Sequence, residues 1–191
     1  MRQLQFWSQL LIVLVLAGCS AKGDTPSEQR NSILQMRQET LSALYGQKPA
    51  IRQEVSRAKG YAVFSNLNNN LFLLSAGSGY GVLRDNRTGR DTYMKMATAG
   101  FGVGLGIKQF KALIIFNETA ALDRFITSGF DAGAQADLAA KAADDGKVVV
   151  SEAANADFQR VKVYQLTEQG LAAQATLQGY KYWPDDDLNG K

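Results

Sequence analysis

Lys59-Gly60-Tyr61-Ala62-Val63-Phe64 is the stretch at which the hydrophobic period of this chain changes. Ahead of it, Ile33, Leu34, Leu41, Leu44 and Tyr45 recur at helical spacing; beyond it come short apolar runs separated by turn residues. The order predicts helices first and a sheet afterwards. Reading back from Lys59, a short helix fits Pro49 to Lys59 with Gly60 as its stop, and Gly46 with Pro49 ends a longer one before it. That longer helix has a start signal in Thr25-Pro26-Ser27-Glu28, a capping box with proline at the first helical position.

Reading forward, Tyr61 to Phe64, Leu71 to Ala76, Tyr80 to Arg84, Thr92 to Thr98 and Leu113 to Phe116 are strand candidates. Turns are expected at the asparagine-rich Asn66 to Asn70 and at Asn86-Arg87-Thr88-Gly89. Such short spacings favour antiparallel neighbours, since a parallel crossover needs about a dozen residues or more. Asn117 can cap an inserted helix near 118–128, whose Ala121, Leu122, Phe125 and Ile126 share one face before Gly129. Residues 130–142 are rich in helix-favouring alanine but alternate with period two, as do Leu171, Ala173, Ala175 and Leu177, so both stretches read as strand. The expected fold is α+β: N-terminal helices, then a curved, mainly antiparallel β-sheet. Asp185 to Lys191 reads as a frayed acidic tail.

Upstream of the helices, Arg2 precedes the apolar run Leu10 to Ala17, and Leu16-Ala17-Gly18-Cys19 has the form of a bacterial lipobox. The run is far shorter than the about 20 apolar residues that cross a bilayer. Residues 1–18 are therefore expected to be a signal peptide that is removed. Cys19 is then diacylated on sulfur and acylated on its new amino group, and 19–25 form a lipidated tether. Multiple acyl chains anchor stably where one chain binds only marginally. Ser20 stands where an aspartate would resemble an inner-membrane retention signal. The expected location is thus the outer membrane, with a single domain, 26–184, in the periplasm, followed by the tail 185–191.

Composition narrows the chemistry. Apolar residues at 46% and charged residues at 20% describe a globular chain, and a net charge of +3 gives no concentrated basic footprint for nucleic acid. There is no histidine, and the one cysteine is assigned to acylation. The commonest general base, the commonest metal ligand and any free thiol are all removed. No enzyme activity, metal or cofactor is expected.

Gly100-Phe101-Gly102-Val103-Gly104-Leu105-Gly106-Ile107 places glycine at every second residue. It is neither a dinucleotide fingerprint nor a Walker loop. Gly100, Gly102, Gly104 and Gly106 either admit another backbone or a sharp bend, or line a groove for an acyl chain. Gly77-Ser78-Gly79-Tyr80-Gly81 reads the same way, and Ser78 is not in a nucleophile elbow. Asp185 to Gly190 matches only the first six positions of a calcium loop, and a solvated acidic stretch is the expectation there. Arg52, Arg57 and Lys59, with Lys95, Lys108 and Lys111 further along, are ordinary surface cations or else contacts to an anionic bilayer.

Ala58-Lys59-Gly60-Tyr61-Ala62-Val63-Phe64, then Gly77-Ser78-Gly79-Tyr80-Gly81-Val82-Leu83, the glycine-rich strand, the Asn117 strand-to-helix step and Gly170-Leu171-Ala172-Ala173 come in an order that resembles the SYLF-domain family. That lipid-binding domain is also found in eukaryotic actin-patch and endocytic adaptors. The resemblance covers most of 30–183. Asp91-Thr92-Tyr93-Met94-Lys95-Met96 stands where the family usually has a Trp-Ser/Thr-x-Pro element, and the acidic tail replaces a tyrosine-rich close. The resemblance implies a compact β-rich domain without catalysis that binds phospholipid head groups through basic and N-terminal elements. The transferable ligand class is anionic phospholipid. The alternative is an envelope scaffold that binds a protein partner through the sheet surface.

Overall fold

A computed structural model describes residues 21–131, 150–152, 161–167 and 176–190. Helix α1 spans Pro26–Gln47 and starts as the sequence predicts: the Thr25 hydroxyl accepts from the Glu28 N–H at 3.2 Å, and the Glu28 carboxylate accepts from the Thr25 N–H at 3.0 Å. Helix α2 is Ala50–Arg57. Strand β1 then runs Gly60–Asp85 and β2 runs Arg90–Phe116, joined at the predicted turn. After them come α3 (Thr119–Ser128), β3 (Phe130–Asp131), β4 (Val150–Glu152), β5 (Val161–Thr167), β6 (Thr176–Pro184) and α4 (Asp186–Asn189).

Several short strands expected from the sequence are two very long ones. β1 and β2 pair antiparallel from Gly60↔Phe116 to Asp85↔Arg90, and the expected turn at Asn66–Asn70 is instead strand, with Asn68↔Lys108 and Asn70↔Gly106 in register. Ladder pairing on β2 overrides the local preference of asparagine for turns. Asn66 is buried with neither side-chain amide atom bonded to a partner among the described residues. Such a group costs on the order of 1–3 kcal/mol, which only a strongly specified hairpin tolerates.

The sheet order is β3-β6-β2-β5-β4, with β1 also on β2. Because β1 occupies one edge of β2 throughout, β6 (opposite Met94–Gly102) and β5 (opposite Phe110–Phe116) lie end to end along the other. The ribbon also folds across itself. A Cβ on Gly79 would collide with the Ser65 carbonyl oxygen, and one on Gly81 with the Val63 carbonyl oxygen and the Phe64 ring. The two bare positions let the second half of β1 lie directly on the first. A register shift at Phe72–Leu74 gives β2 one residue more than β1. Residues sharing the second core cluster are accordingly even-numbered throughout β2 (Met94, Met96, Ile114, Phe116), but change in β1 from even (Ala62, Phe64) to odd (Leu83).

Two cores result. In one, Ile33, Met36 and Leu44 of α1 and Ile51 and Val55 of α2 pack with Val63, Leu113, Ile115 and Tyr164. In the other, Leu122 and Phe125 of α3 pack on Phe64, Phe116 and Tyr182, with Phe116 and Phe125 ring centroids 4.9 Å apart. Val63 and Phe64 thus serve opposite cores, as a continuous apolar run buried on both faces requires. The cap of α3 is Glu118, one residue beyond the expected Asn117. Beyond Phe130–Asp131, the alternation over 130–142 falls outside the described residues, as do positions 171–175 of the later one.

The frayed tail needs correction. Asp185 and Leu188 are buried; the Asn189 amide donates to the Tyr93 and Asp185 carbonyls at 2.8 Å each, and its oxygen accepts from the Tyr93 N–H at 3.0 Å. Arg30 of α1 donates to the Leu188 carbonyl at 2.8 Å. The acidic run is a short helix stitched to β2 and α1, held by partners too distant in sequence for local composition to reveal.

Candidate lipid-facing surface

The cations singled out in the sequence fall into different settings. Arg52, Arg57 and Lys59 are all exposed on and just after α2. Ile51 and Val55 point α2 into the core, so Gln53, Ser56 and Arg57 face outward, and Arg52, about 140° from Arg57 around the axis, flanks them. The Arg52 guanidinium lies over the Tyr45 ring, 5.1 Å from its centroid, which orients the cation without neutralising it. Among the described residues none of the three has a carboxylate partner.

The one acid of α2 is turned away from that face. The Glu54 carboxylate accepts from the Tyr164 hydroxyl at 2.8 Å and from the Lys162 ammonium at 3.2 Å. Burial and this acceptor push the Tyr164 hydroxyl up to about 12, so it stays a donor. The end of α2 is fixed by Asn86 of the hairpin turn, whose amide donates to the Val55 and Ala58 carbonyls at 2.9 and 3.0 Å. Arg87, in the same turn, is held by Asp85 at 2.9 Å and also contacts Asp123. Glu54 and Asn86 were not among the expected site residues, because their partners are far away in sequence.

The remaining lysines are elsewhere. Lys95 lies 3.0 Å from buried Asp185 and 3.5 Å from Asp187. Partial burial opposes its charge, but hydrogen bonding and attraction to Asp185 and then Asp187 outweigh this, and its pKa is raised. Lys111 sits 3.8 Å from Glu39 of α1. Lys108 is on β2 opposite Asn68, with its side chain outside the described residues. Gly100 is paired on both edges, with Ser75 on β1 and Gln178 on β6; Gly102 pairs with Thr176 on β6, and Gly104 and Gly106 pair with Phe72 and Asn70 on β1. The register shift falls in this stretch, where bare positions ease a bend. Cys19 lies outside the described residues, and among those described no helix is long and apolar enough to cross a membrane.

Residues 97–191 match the family described as Ysc84, Las17-binding protein actin regulator. Beta cell expansion factor A from Aeromonas veronii is 34% identical over 164 residues, covering 86% of this chain and 60% of that protein. The chain carries a SYLF-type domain. This chain spans about 60% of the length of that curated relative. The family match begins within β2, so the SYLF-type match takes in one strand of a hairpin whose other strand, β1, lies before it along with α1 and α2. The basic face of α2 lies outside residues 97–191 of the family match, but the alignment to the Aeromonas veronii protein, which covers 86% of this chain, is long enough to include it.

Proposed function

We propose that this is a lipid-anchored envelope protein whose SYLF-type domain meets anionic phospholipid through the outward face of α2, without catalysis. The observation that carries the reading is the charge separation on α2: Arg52, Arg57 and Lys59 face solvent with no carboxylate partner among the described residues, while Glu54 is consumed by Lys162 and Tyr164. Each cation near an anionic surface contributes about 1 kcal/mol within a screening length of about 8 Å. The family's lipid-binding and adaptor character supports a membrane role, and the lipobox at Leu16-Ala17-Gly18-Cys19 supports acylation at Cys19 and an outer-membrane, periplasm-facing location.

Flotation of a Cys19→Ser form with neutral and with anionic vesicles tests the lipid preference apart from the anchor. Recovery with anionic vesicles only is the expected result; equal recovery with both defeats the reading. The matched family is one of Las17-binding actin regulators, a protein-binding role that favours an envelope scaffold as the second reading. A partner crosslinked to the chain that persists after charge reversal at Arg52, Arg57 and Lys59 would select it.

A further inference from the structure

The sequence suggests that residues 19–25 are a loose tether, yet Ala21 is 5% exposed and belongs to the core cluster that includes Ile33 and Leu188. The residues that follow are fixed as well. Gly23 has φ +131°, and a Cβ there would lie 2.6 Å from the Glu28 Cβ and 2.9 Å from the Gln29 nitrogen, so the chain is folded tightly back on the first turn of α1. The Gln29 amide donates to the Gly23 carbonyl at 3.1 Å, and the Asp24 and Thr25 N–H groups both donate to the Glu28 carboxylate. Those backbone hydrogen bonds, Thr25 first, hold the Glu28 carboxyl below its usual pKa. Residues 21–25 therefore belong to the folded domain.

Covalent geometry then fixes how far the anchor can reach. Two residues span at most about 7 Å, against about 20 Å for a free six-residue tether. We propose that the turn formed by residues 21–28 is a membrane seat, held by acylated Cys19 directly against the head-group layer of the bilayer. This rests on the proposed acylation of Cys19. A short, docked connection confines the domain to a narrow set of orientations, so the fold, rather than a flexible search, decides which surfaces meet lipid.

Exposed Ser27 lies on the seat, and with Cys19 acylated a Ser27→Cys variant carries one free thiol. The full chain, matured in cells that acylate lipoproteins and placed in phospholipid vesicles, would be labelled there with a fluorophore and exposed to head-group-bound quenchers. The same variant with a Gly/Ser insertion of about twelve residues between Ser20 and Ala21, adding a root-mean-square reach of about 19 Å, is the comparison. Strong quenching that drops severalfold on insertion is the expected result. Equal quenching, with intact mass showing an acylated Cys19 in both chains, overturns the seat and leaves the anchor standing. A mature chain without acyl mass overturns both.

Discussion

The cations on and just after α2 and the lysine beside the C-terminal turn are alike in charge and opposite in setting. Arg52 and Arg57 project from a short helix, and Lys59 from just beyond its end, where the helix's only acid is engaged elsewhere, whereas Lys95 is clasped by Asp185 and Asp187. A cation whose field is cancelled within 3–4 Å contributes to folding, and one without a partner is available to an outside anion. Counting positive residues in the sequence cannot separate these roles; pairing does.

The largest effect is expected from Arg52→Ala, Arg57→Ala and Lys59→Ala combined. If each contact is worth about 1 kcal/mol, partition onto anionic vesicles should weaken by about 100-fold. The thermal midpoint should hardly move, because all three side chains are exposed. Vesicle co-sedimentation with parallel thermal melts checks both parts. An equal loss from Lys95→Ala alone would erase the distinction between the two groups.

Asp185→Ala attacks the other side of the comparison. It removes the buried partner of Lys95 and the cap that accepts from the Leu188 N–H, and should cost about 2 kcal/mol of stability. It also leaves Lys95 only the exposed Asp187, so vesicle binding should be retained or slightly strengthened while the midpoint in urea falls. Weakened binding in a chain that remains folded would show that the C-terminal turn belongs to the lipid surface.

How much of this was legible in the sequence follows the range of each interaction. Thr25 and Glu28 are three residues apart, and their capping box could be read in advance; so could the hairpin turn at Asn86 to Gly89 and the face of α3 carrying Leu122 and Phe125. Glu54 meets Lys162 across 108 positions and Asn189 meets Tyr93 across 96, so neither the bare cationic face of α2 nor the docking of the acidic run could be read from neighbours. Asn66 to Asn70 misled for the same reason: their turn preference is local, and the β2 ladder that overrides it is not. The glycines at 79 and 81 were visible as a pattern, but the strand segment that lies across them was not.

A third site sharpens the comparison from the acid side. Asp85 accepts from the Arg87 guanidinium at 2.9 and 3.0 Å and from its N–H at 2.8 Å. The guanidinium hydrogen bonds outweigh burial, with the N–H assisting, and hold the carboxyl down at about 2. The pKa is depressed on folding, so the stabilisation is present above the unfolded value of about 3.9 and is lost as pH falls through the folded value of about 2. Asp85→Asn should therefore lose about 1.5 kcal/mol at neutral pH, with the gap shrinking as pH approaches about 2 and closing below it. Urea melts at both pH values check this. A constant gap across the range would mean that Arg87 is held mainly by Asp123.

The smallest effect should come from Lys111→Gln. Its distance to Glu39 is 3.8 Å, and Glu39's side chain is 56% exposed, so this surface pair is worth less than about 0.5 kcal/mol. Lys111 projects from β2 beside α1 and already has a carboxylate near it, so removing its charge should change vesicle binding far less than Arg57→Gln does. The pair of variants is matched in net charge, which makes it a test of setting rather than of total charge. If both weaken binding equally and added salt abolishes the effect, overall charge draws the domain to lipid. If only Arg57→Gln does so, the isolation of Glu54 from the outward face is what turns a short amphipathic helix into a surface for anions.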